Sequence, residues 1–361
     1  MKILHIDPER FWGGGERQVI GLLSYLSRWG HENHLLCHPD GPLAMEAERI
    51  GTRVFPLRLR NELDLRPVLS LRRLIRGEAY DVVHFHTKRA HALSIWLGRM
   101  PAGLRRVVTR RMDYPMRRGW YSRCLYNRKV DGVVAISQRI AALLAEGGVS
   151  REKIRLIHSG VDPAPFEKIP AANRDASPLV IGTVAVLEKR KGHRFLLEAA
   201  AHLKRQGERL TYRLAGDGSQ KERLERLAQT LGLQEEIDFL GFVTDVPAFL
   251  SSIDVFVLPS LFEGLGVAVL EAMAAARPVV ATDAGGLSEL VADQHTGLLA
   301  PPGDSLSLAR AISQLISQRD RMRRMGENGR ARVQEHFTME QMAKKNEAYY
   351  YELLEDQREA R

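Results

Sequence analysis

The stretch Asp254–Gly286 constrains the fold of this chain more than any other. It reads DVFVLPSLFEGLGVAVLEAMAAARPVVATDAGG. The apolar run Val255–Leu258 predicts a buried strand, and Val267–Ala276, rich in Ala, Leu, Met and Glu, predicts a helix. A second apolar run, Pro278–Thr282, predicts the next buried strand. A strand, a helix and a strand in this order form the building block of a parallel sheet.

Two acidic residues, Glu263 and Glu271, flank the start of this predicted helix. Their spacing corresponds to about 12 Å along a helix axis and points both carboxylates in one direction. Between them, the backbone N–H groups of Gly264–Gly266 can hold an anion such as a diphosphate. Carboxylates on either side can accept hydrogen bonds from hydroxyl groups. The arrangement suits a nucleotide-diphosphate sugar, although two glutamates at this spacing also occur on solvated helix faces.

The segment 263–271, EGLGVAVLE, resembles the Glu-x7-Glu motif of the retaining glycosyltransferases of group 1, family 4. The segment 285–289, GGLSE, resembles the motif that follows it in that family. The resemblance implies that Glu263 contacts the donor sugar in catalysis and that Glu271 binds the ribose hydroxyls. It also implies that the amides of Gly264, Leu265 and Gly266 touch the sugar and the phosphate.

Shorter motifs carry the same resemblance. They are the loop Gly13-Gly14-Gly15-Glu16 after the first predicted strand, Lys191-Gly192, Gly241-Phe242-Val243, and DVVHFH at 81–86. In the family these motifs approach the donor, bind its diphosphate, contact its base through backbone atoms, and place a histidine against its sugar. By resemblance, His86 is that catalytic histidine. It ends a predicted strand, where ligands bind in open parallel sheets, whereas we interpret His84 as structural.

One position departs from the family pattern. Where the family has an arginine near the end of a strand, this chain has Ala185 and Val186. Arg190, Lys189 or an arginine from elsewhere could supply the second charge beside Lys191.

Alternating strand and helix patterns along the chain predict an α/β protein. The resemblance implies the GT-B fold, two facing Rossmann-like domains with the active site in the cleft between them. We expect an N-terminal domain over 1–168 on the acceptor side and a linker over 169–178. The donor domain would span 179–338, and a helix over 339–361 would cross back to the first domain.

Length and composition fit this division. A chain of 361 residues is long enough for two domains, and 44% hydrophobic content is ordinary for a globular protein. No stretch approaches the ~20 consecutive apolar residues of a membrane span, and the start MKILHID is too short in apolar residues for a signal peptide. We therefore expect a cytoplasmic protein. Its two cysteines form no metal-binding pattern.

The net charge of +9 is concentrated in the N-terminal half. Residues 1–170 hold 29 Lys and Arg against 17 Asp and Glu, a net +12, and the remainder is −3. The density peaks at 105–129, where aromatic residues interleave with arginines. This composition favours an anionic membrane surface and predicts peripheral attachment to the inner face of the cytoplasmic membrane. Residues for the acceptor or the membrane would be Arg110, Arg111, Asp113, Arg117 and Arg118.

These features predict a retaining transferase acting on a glycan or glycolipid acceptor, such as a lipopolysaccharide core or another lipid-linked envelope glycan. The donor would be a UDP- or GDP-linked sugar, with no other cofactor. The chain contains no Asp-x-Asp, so we expect no metal. A sugar-nucleotide epimerase with the same architecture is the alternative. A nucleic-acid-binding protein is suggested only by the basic half, which lacks a recognisable binding module.

Overall fold

The structure, a computed structural model, describes residues 1–59, 66–116, 119–171 and 178–359, with side chains to residue 356. It forms two compact units. The first contains Met1–Gly160 and the chain from Met339 onward, and the second contains Val161–Thr338.

The boundary between the units lies after Gly160, whereas the sequence predicted that the first domain ends at residue 168. The backbone N–H of Val161 donates to the carbonyl of Phe337 at 2.9 Å, and Val161 forms a parallel bridge with Thr338. The guanidinium of Arg330 donates to the carbonyl of Ile169 at 2.5 Å. These bonds attach residues 161–169 to the second unit. Residues 172–177 of the expected linker lie outside the described residues.

A parallel sheet of seven strands, ordered β3-β2-β1-β4-β5-β6-β7, forms the centre of the first unit. Its inner strands are apolar and buried, as in parallel sheets covered on both faces. The strands are β1 Lys2–Asp7, β2 Glu32–Cys37, β3 Arg53–Pro56, β4 Val82–Phe85, β5 Arg105–Arg110, β6 Gly132–Ala135 and β7 Ile154–Leu156. The helices between them are α1 Gly14–Arg28, α2 Pro42–Arg49, α3 Arg66–Gly77, α4 Lys88–Leu93, α5 Trp120–Arg123 and α6 Gln138–Glu146.

The second unit repeats this plan with a parallel sheet of six strands, ordered β10-β9-β8-β11-β12-β13. The strands are β8 Leu179–Val184, β9 Leu210–Ala215, β10 Ile237–Gly241, β11 Val255–Leu258, β12 Val279–Thr282 and β13 Gly297–Ala300. The helices are α7 His193–Arg205, α8 Lys221–Thr230, α9 Val246–Ser251, α10 Val267–Ala274, α11 Leu287–Leu290, α12 Ser305–Ile316 and α13 Arg319–His336. Each unit is therefore Rossmann-like, as predicted.

Both sheets reverse their strand order once. In the first unit the reversal lies between β1 and β4, and in the second between β8 and β11. In open α/β sheets the connections leave opposite faces at such a point, and a crevice opens outside the carboxyl ends of the two strands. The topology therefore marks one candidate binding position in each unit.

The helix α14, Met339–Glu359, follows the second unit in sequence but packs in the first. It lies against α1, where a Cβ on Gly21 would be 2.2 Å from the sulfur of Met339. Tyr350 is fully buried, and its hydroxyl is 2.6 Å from Nδ1 of His84. The helix thus supplies part of the core beside β4.

The strand β11 has the predicted bounds, Val255–Leu258, and β12 begins one residue later than predicted, at Val279. The helix α10 is shorter than predicted because Ala276 adopts a left-handed conformation with φ of +52°, which ends the helix before Arg277. Within the described residues, none of the helices combines the length and the apolar composition that a membrane crossing requires.

Candidate active site

The strand-order reversal of the second unit brings Lys191 and Glu263 together. Lys191 ends the turn after β8, and Glu263 lies in the loop after β11. The ammonium group and the carboxylate form an ion pair, with side chains 12% and 11% exposed. The hydroxyl of Ser260 donates to the same carboxylate at 3.2 Å. The two residues that the sequence assigned to the diphosphate and to the donor sugar are thus in direct contact.

Backbone contacts fix the two loops against each other. The carbonyl of Arg190 accepts hydrogen bonds from the N–H of Leu261 at 2.8 Å and of Phe262 at 3.3 Å. Gly192 has φ of +68°, and a Cβ there would lie 1.9 Å from the carbonyl oxygen of Pro259. Only glycine fits this approach without displacing backbone, so the glycine beside Lys191 sets how closely the loops meet.

Glu271 lies on α10 and is 7% exposed. Glu263 precedes the helix, which starts at Val267, so the spacing along a helix axis does not describe this pair. Gly266 caps the helix with φ of +100°, and Leu265 beside it is buried. The backbone N–H of Gly286 donates to the carbonyl of Glu263 at 3.1 Å. Gly286, in the glycine pair of the GGLSE segment, therefore supports the loop that carries Glu263.

The side chain of Arg190, the other candidate for the diphosphate, is 2.7 Å from the carboxylate of Glu188. It is about one-third exposed. Its main chain holds the loop of Glu263, whereas its guanidinium points to a local acid.

The predicted base-contacting loop lies at the end of β10. Gly241 has φ of +68°, and its carbonyl accepts from the N–H of Gly216 at 2.7 Å. A Cβ on Gly216 would lie 1.9 Å from the carbonyl of Ala185. Phe242 is 63% exposed, and Val243 is partly exposed. The ends of β8, β9 and β10 are thus drawn together at this edge of the sheet.

The strand-order reversal of the first unit contains His86, which directly follows β4. Its backbone N–H donates to the carbonyl of Ile6 at 3.0 Å. The side chain is 1% exposed, and its Nε2 is 3.0 Å from Nδ1 of His5. The neighbouring His84 contacts Tyr350 and also Thr109, the latter at 2.7 Å. Burial lowers the pKa of His5 to about 4 and lowers the pKa values of His84 and His86 well below the usual value.

Nitrogen atoms of His5, His84 and His86 lie within 4.8 Å of one another. Within the part of the chain that the structure describes, this is the one group of His, Cys, Asp or Glu with the spacing of a metal site. Both ring nitrogens of His5 and of His84 already have hydrogen-bonded partners. A metal ion would have to replace bonds of these two rings.

Sequence reasoning named Arg111 for the acceptor or the membrane but missed the charged cluster that Arg111 forms with Asp7 and Glu16 at the same edge. Asp7, at the end of β1, is 1% exposed, and burial, with a contribution from Glu16, raises its pKa to about 7. Arg111 opposes this shift, and burial also raises the pKa of Glu16. The side chain of Arg111 lies 3.6 Å from the position of a Cβ on Gly15. In the expected glycine loop, Gly13 caps α1 and Gly14 is the first residue of that helix. The loop therefore lies against Arg111. The sequence signal that could have revealed this cluster is Asp7, an acid at the end of a strand directly before the loop.

The basic segment 105–129 is exposed only in part, and several of its arginines have partners within the fold. Arg105 donates to the carbonyl of Leu353 at 2.6 Å, and Arg106 pairs with Asp131 at 3.1 Å. Arg110 donates to the hydroxyl of Tyr126 and to the carbonyl of Tyr114. The arginines of β5 therefore have partners within the fold, although the sequence counted them toward an anionic membrane surface. Exposed residues follow them: Met112, Tyr114, Trp120 and Tyr121. Asp113 is partly exposed, and Arg117 and Arg118 lie outside the described residues.

Both halves of the chain match family models. Residues 166–332 match "Glycosyl transferases group 1", and residues 12–165 match "Glycosyltransferase Family 4". The chain is 30% identical over 347 residues to the lipopolysaccharide core biosynthesis glycosyltransferase LpsE of Rhizobium meliloti, covering 94% of this chain and 96% of the relative.

Solved structures that resemble nearly the whole chain include the following two. The Anabaena protein HepE, in complex with UDP-glucose, has a TM-score of 0.84 and 26% identity, covering 99% of this chain and all of the other. A glycosyltransferase from Rickettsia africae has a TM-score of 0.85 at 22% identity, with 98% of each chain covered, and supports the fold alone.

Proposed function

The chain belongs to the group 1 glycosyltransferases, family 4, and from that premise we propose that it transfers a hexosyl residue from a nucleotide-diphosphate sugar with retention of configuration. As a member of this family with the GT-B fold it is a glycosyltransferase. LpsE, which matches nearly the whole chain, is named a glycosyltransferase, and this does not favour an epimerase. The donor, the acceptor and the stereochemistry are our proposal.

The observation that carries the donor site is the contact between Lys191 and Glu263 at the strand-order reversal. Lys191 would bind the diphosphate, and Glu263 would accept hydrogen bonds from the donor sugar. Glu271 would accept from the ribose hydroxyls, and Gly241–Val243 would contact the base. UDP is the first candidate because HepE was solved with UDP-glucose, and GDP is the second.

The chemistry would use charge rather than a metal ion. As the bond to the anomeric carbon breaks, negative charge grows on the leaving diphosphate. Lys191 and the N–H groups at the start of α10, around Gly266, would stabilise that charge. The leaving phosphate would help to deprotonate the acceptor on the same face, which gives retention. No cofactor beyond the nucleotide sugar enters this scheme.

The acceptor would be a lipopolysaccharide core or another lipid-linked envelope glycan. LpsE is named for lipopolysaccharide core biosynthesis. The exposed residues after β5 include Trp120, at 78%, and Tyr121, at 51%, beside Arg123. Aromatic and cationic side chains of this kind suit a peripheral site on an anionic inner-membrane surface.

A ligand screen and a product analysis test this function. UDP-, GDP- and ADP-sugars should be compared by thermal shift, because binding to the folded state raises the melting temperature. Transfer with the stabilising donor should give a product whose anomeric configuration, read by NMR, matches the donor, with activity intact in EDTA. An inverted product, or activity lost on chelation and restored by manganese, would contradict retention or metal independence.

A further inference from the structure

A chain of three hydrogen-bonded side chains runs across the first unit to His86. Nε2 of His86 is 3.0 Å from Nδ1 of His5, and Nε2 of His5 is 3.2 Å from Oδ1 of Asn33. The three side chains come from the end of β4, from β1 and from β2. All are buried, with exposures of 1%, 0% and 6%.

The far end of this chain fixes the orientation of Asn33. Its Nδ2 is 3.1 Å from the carbonyl oxygen of His31 and 3.0 Å from the hydroxyl of Ser27. A carbonyl oxygen can only accept a hydrogen bond, so the atom that faces it is the amide nitrogen. Oδ1 of Asn33 must then face His5, and this oxygen is an acceptor.

The orientation of Asn33 determines, in two steps, which ring nitrogens of His5 and His86 carry a hydrogen. Because Oδ1 only accepts, Nε2 of His5 carries the hydrogen. Burial lowers the pKa of His5 to about 4, so its ring is neutral and Nδ1 is a bare acceptor. Nε2 of His86 must therefore donate to it. Burial, with the neighbouring His84 and His5, also keeps His86 neutral, which leaves its Nδ1 as a lone pair.

Nδ1 of His86 is buried and has no hydrogen-bond partner among the described residues. His86 lines a small cavity of about 10 Å³ whose lining is mixed: Gln18, Arg111, Ser159 and Asn346 contribute polar groups, and apolar side chains contribute the rest. A bare imidazole nitrogen accepts one hydrogen bond and repels carboxylate or carbonyl oxygen. It therefore selects a group that brings its own hydrogen.

We propose that His5 and Asn33 are positioning residues that hold His86 in its Nε2–H tautomer, so that its Nδ1 serves as the acceptor for a hydroxyl of the donor sugar. The sugar contact rests on the proposed function. The tautomer does not, because it follows from the hydrogen-bond chain and from the burial that keeps both rings neutral. His5 and Asn33 act through His86 and touch no reacting atom.

The test is NMR of the full chain labelled with ¹⁵N-histidine, with the His86 signals identified by their loss in His86→Gln. In the unmodified protein, Nδ1 of His86 should be of the unprotonated type and Nε2 of the protonated type between pH 6 and 8. A protonated Nδ1, a doubly protonated His86, or signals that change on chelation because a metal is bound would overturn the proposal. This measurement needs no donor.

Variants of His5 separate positioning from packing. His5→Leu removes the relay, that is, the hydrogen bonds that join Asn33 through His5 to His86. The two tautomers of His86 should then mix. His5→Gln keeps the relay, because its amide can donate to Asn33 and accept from His86, and it should restore the single tautomer. Tyr350→Phe, which alters the partner of His84 instead, is the matched control and should leave the His86 signals in place. An unchanged tautomer in His5→Leu would remove His5 from the proposal.

Kinetics then test the link to the reaction. With the donor found in the thermal-shift screen, His5→Leu should lower kcat/KM about tenfold, the size of one lost hydrogen bond, and His5→Gln should recover most of it. If His5→Leu mixes the tautomers but leaves kcat/KM unchanged, the sugar contact is wrong. If the unmodified protein transfers no sugar while its tautomer is as stated, the proposed function fails and the relay stands.

Discussion

Lys191 and Glu263 form an ion pair with each other, although they lie in loops that follow different strands. Both side chains are largely withdrawn from water. Removing one member of such a pair leaves the other charge poorly compensated. A diphosphate that binds Lys191 would have to replace the carboxylate, and this replacement would free Glu263 for the sugar.

Glu263→Gln should therefore separate nucleotide binding from turnover. Loss of the carboxylate removes a competitor for Lys191, so free UDP should bind as tightly as before or more tightly. Turnover should fall roughly 10- to 150-fold, because a charged hydrogen bond to the sugar is lost. Calorimetry with UDP and initial rates give both values. Lys191→Ala is the reciprocal variant and should weaken UDP itself. Equal losses of UDP affinity and turnover in Glu263→Gln would contradict the assignment.

Glu271→Ala should weaken the donor through its nucleoside. A buried carboxylate that accepts from two ribose hydroxyls contributes about 1.5–3 kcal/mol, so affinity for UDP should fall roughly 10- to 150-fold. Calorimetry with UDP and with 2′,3′-dideoxy-UDP isolates the contact, because the variant should lose its preference for the ribose form. Retention of that preference would assign the hydroxyls to another residue.

Gly192→Ala should lower both stability and UDP affinity. Its Cβ would collide with the carbonyl of Pro259, and its φ of +68° disfavours alanine. We expect the melting temperature to fall by roughly 5 °C or more. Gly207→Ala is a matched control, because Gly207 has φ of +87° and open space around it. If both variants lost the same stability, the close approach of the two loops would carry no cost, and the placement of Lys191 would not depend on it.

Membrane attachment should depend on the exposed residues after β5. Trp120→Ser and Arg123→Glu should each reduce sedimentation with anionic vesicles at low salt, and added salt should do the same. Leu306→Ser and Arg226→Glu are controls, because both residues are exposed in the second unit. A protein that ignores anionic vesicles at low salt would rule out this attachment but not the transferase activity.

The sequence predicted the loops of the candidate donor site and the elements that flank them, because strand, glycine and helix patterns are local. It could not predict that Lys191 and Glu263 would touch, since their contact depends on β8 and β11 becoming neighbours through a crossover. The link of His5 to Asn33 was invisible for the same reason, because β1 pairs with β2 in a register that no local pattern fixes.

The basic segment 105–129 shows what composition alone cannot predict. Its composition predicted a charged surface, yet Arg105 and Arg106 turn to a carbonyl of α14 and to Asp131. Composition counts charges but does not say which ones find partners within the fold. Tyr114, Trp120 and Tyr121 remain exposed, and these aromatic residues were part of the predicted segment.

The placement of α14 affects the order in which the protein can be completed during translation. The core of the first unit joins Ile3, Leu22 and Val82 to Met342 and Tyr350. The ribosome therefore delivers every strand of the second unit before the first can close its core, although domains made earlier usually fold earlier. Proteolysis of ribosome-bound chains in which a linker long enough to fill the exit tunnel follows residue 338 should find the second unit protected and the first cleavable. Equal protection would show that the first unit folds without its last helix.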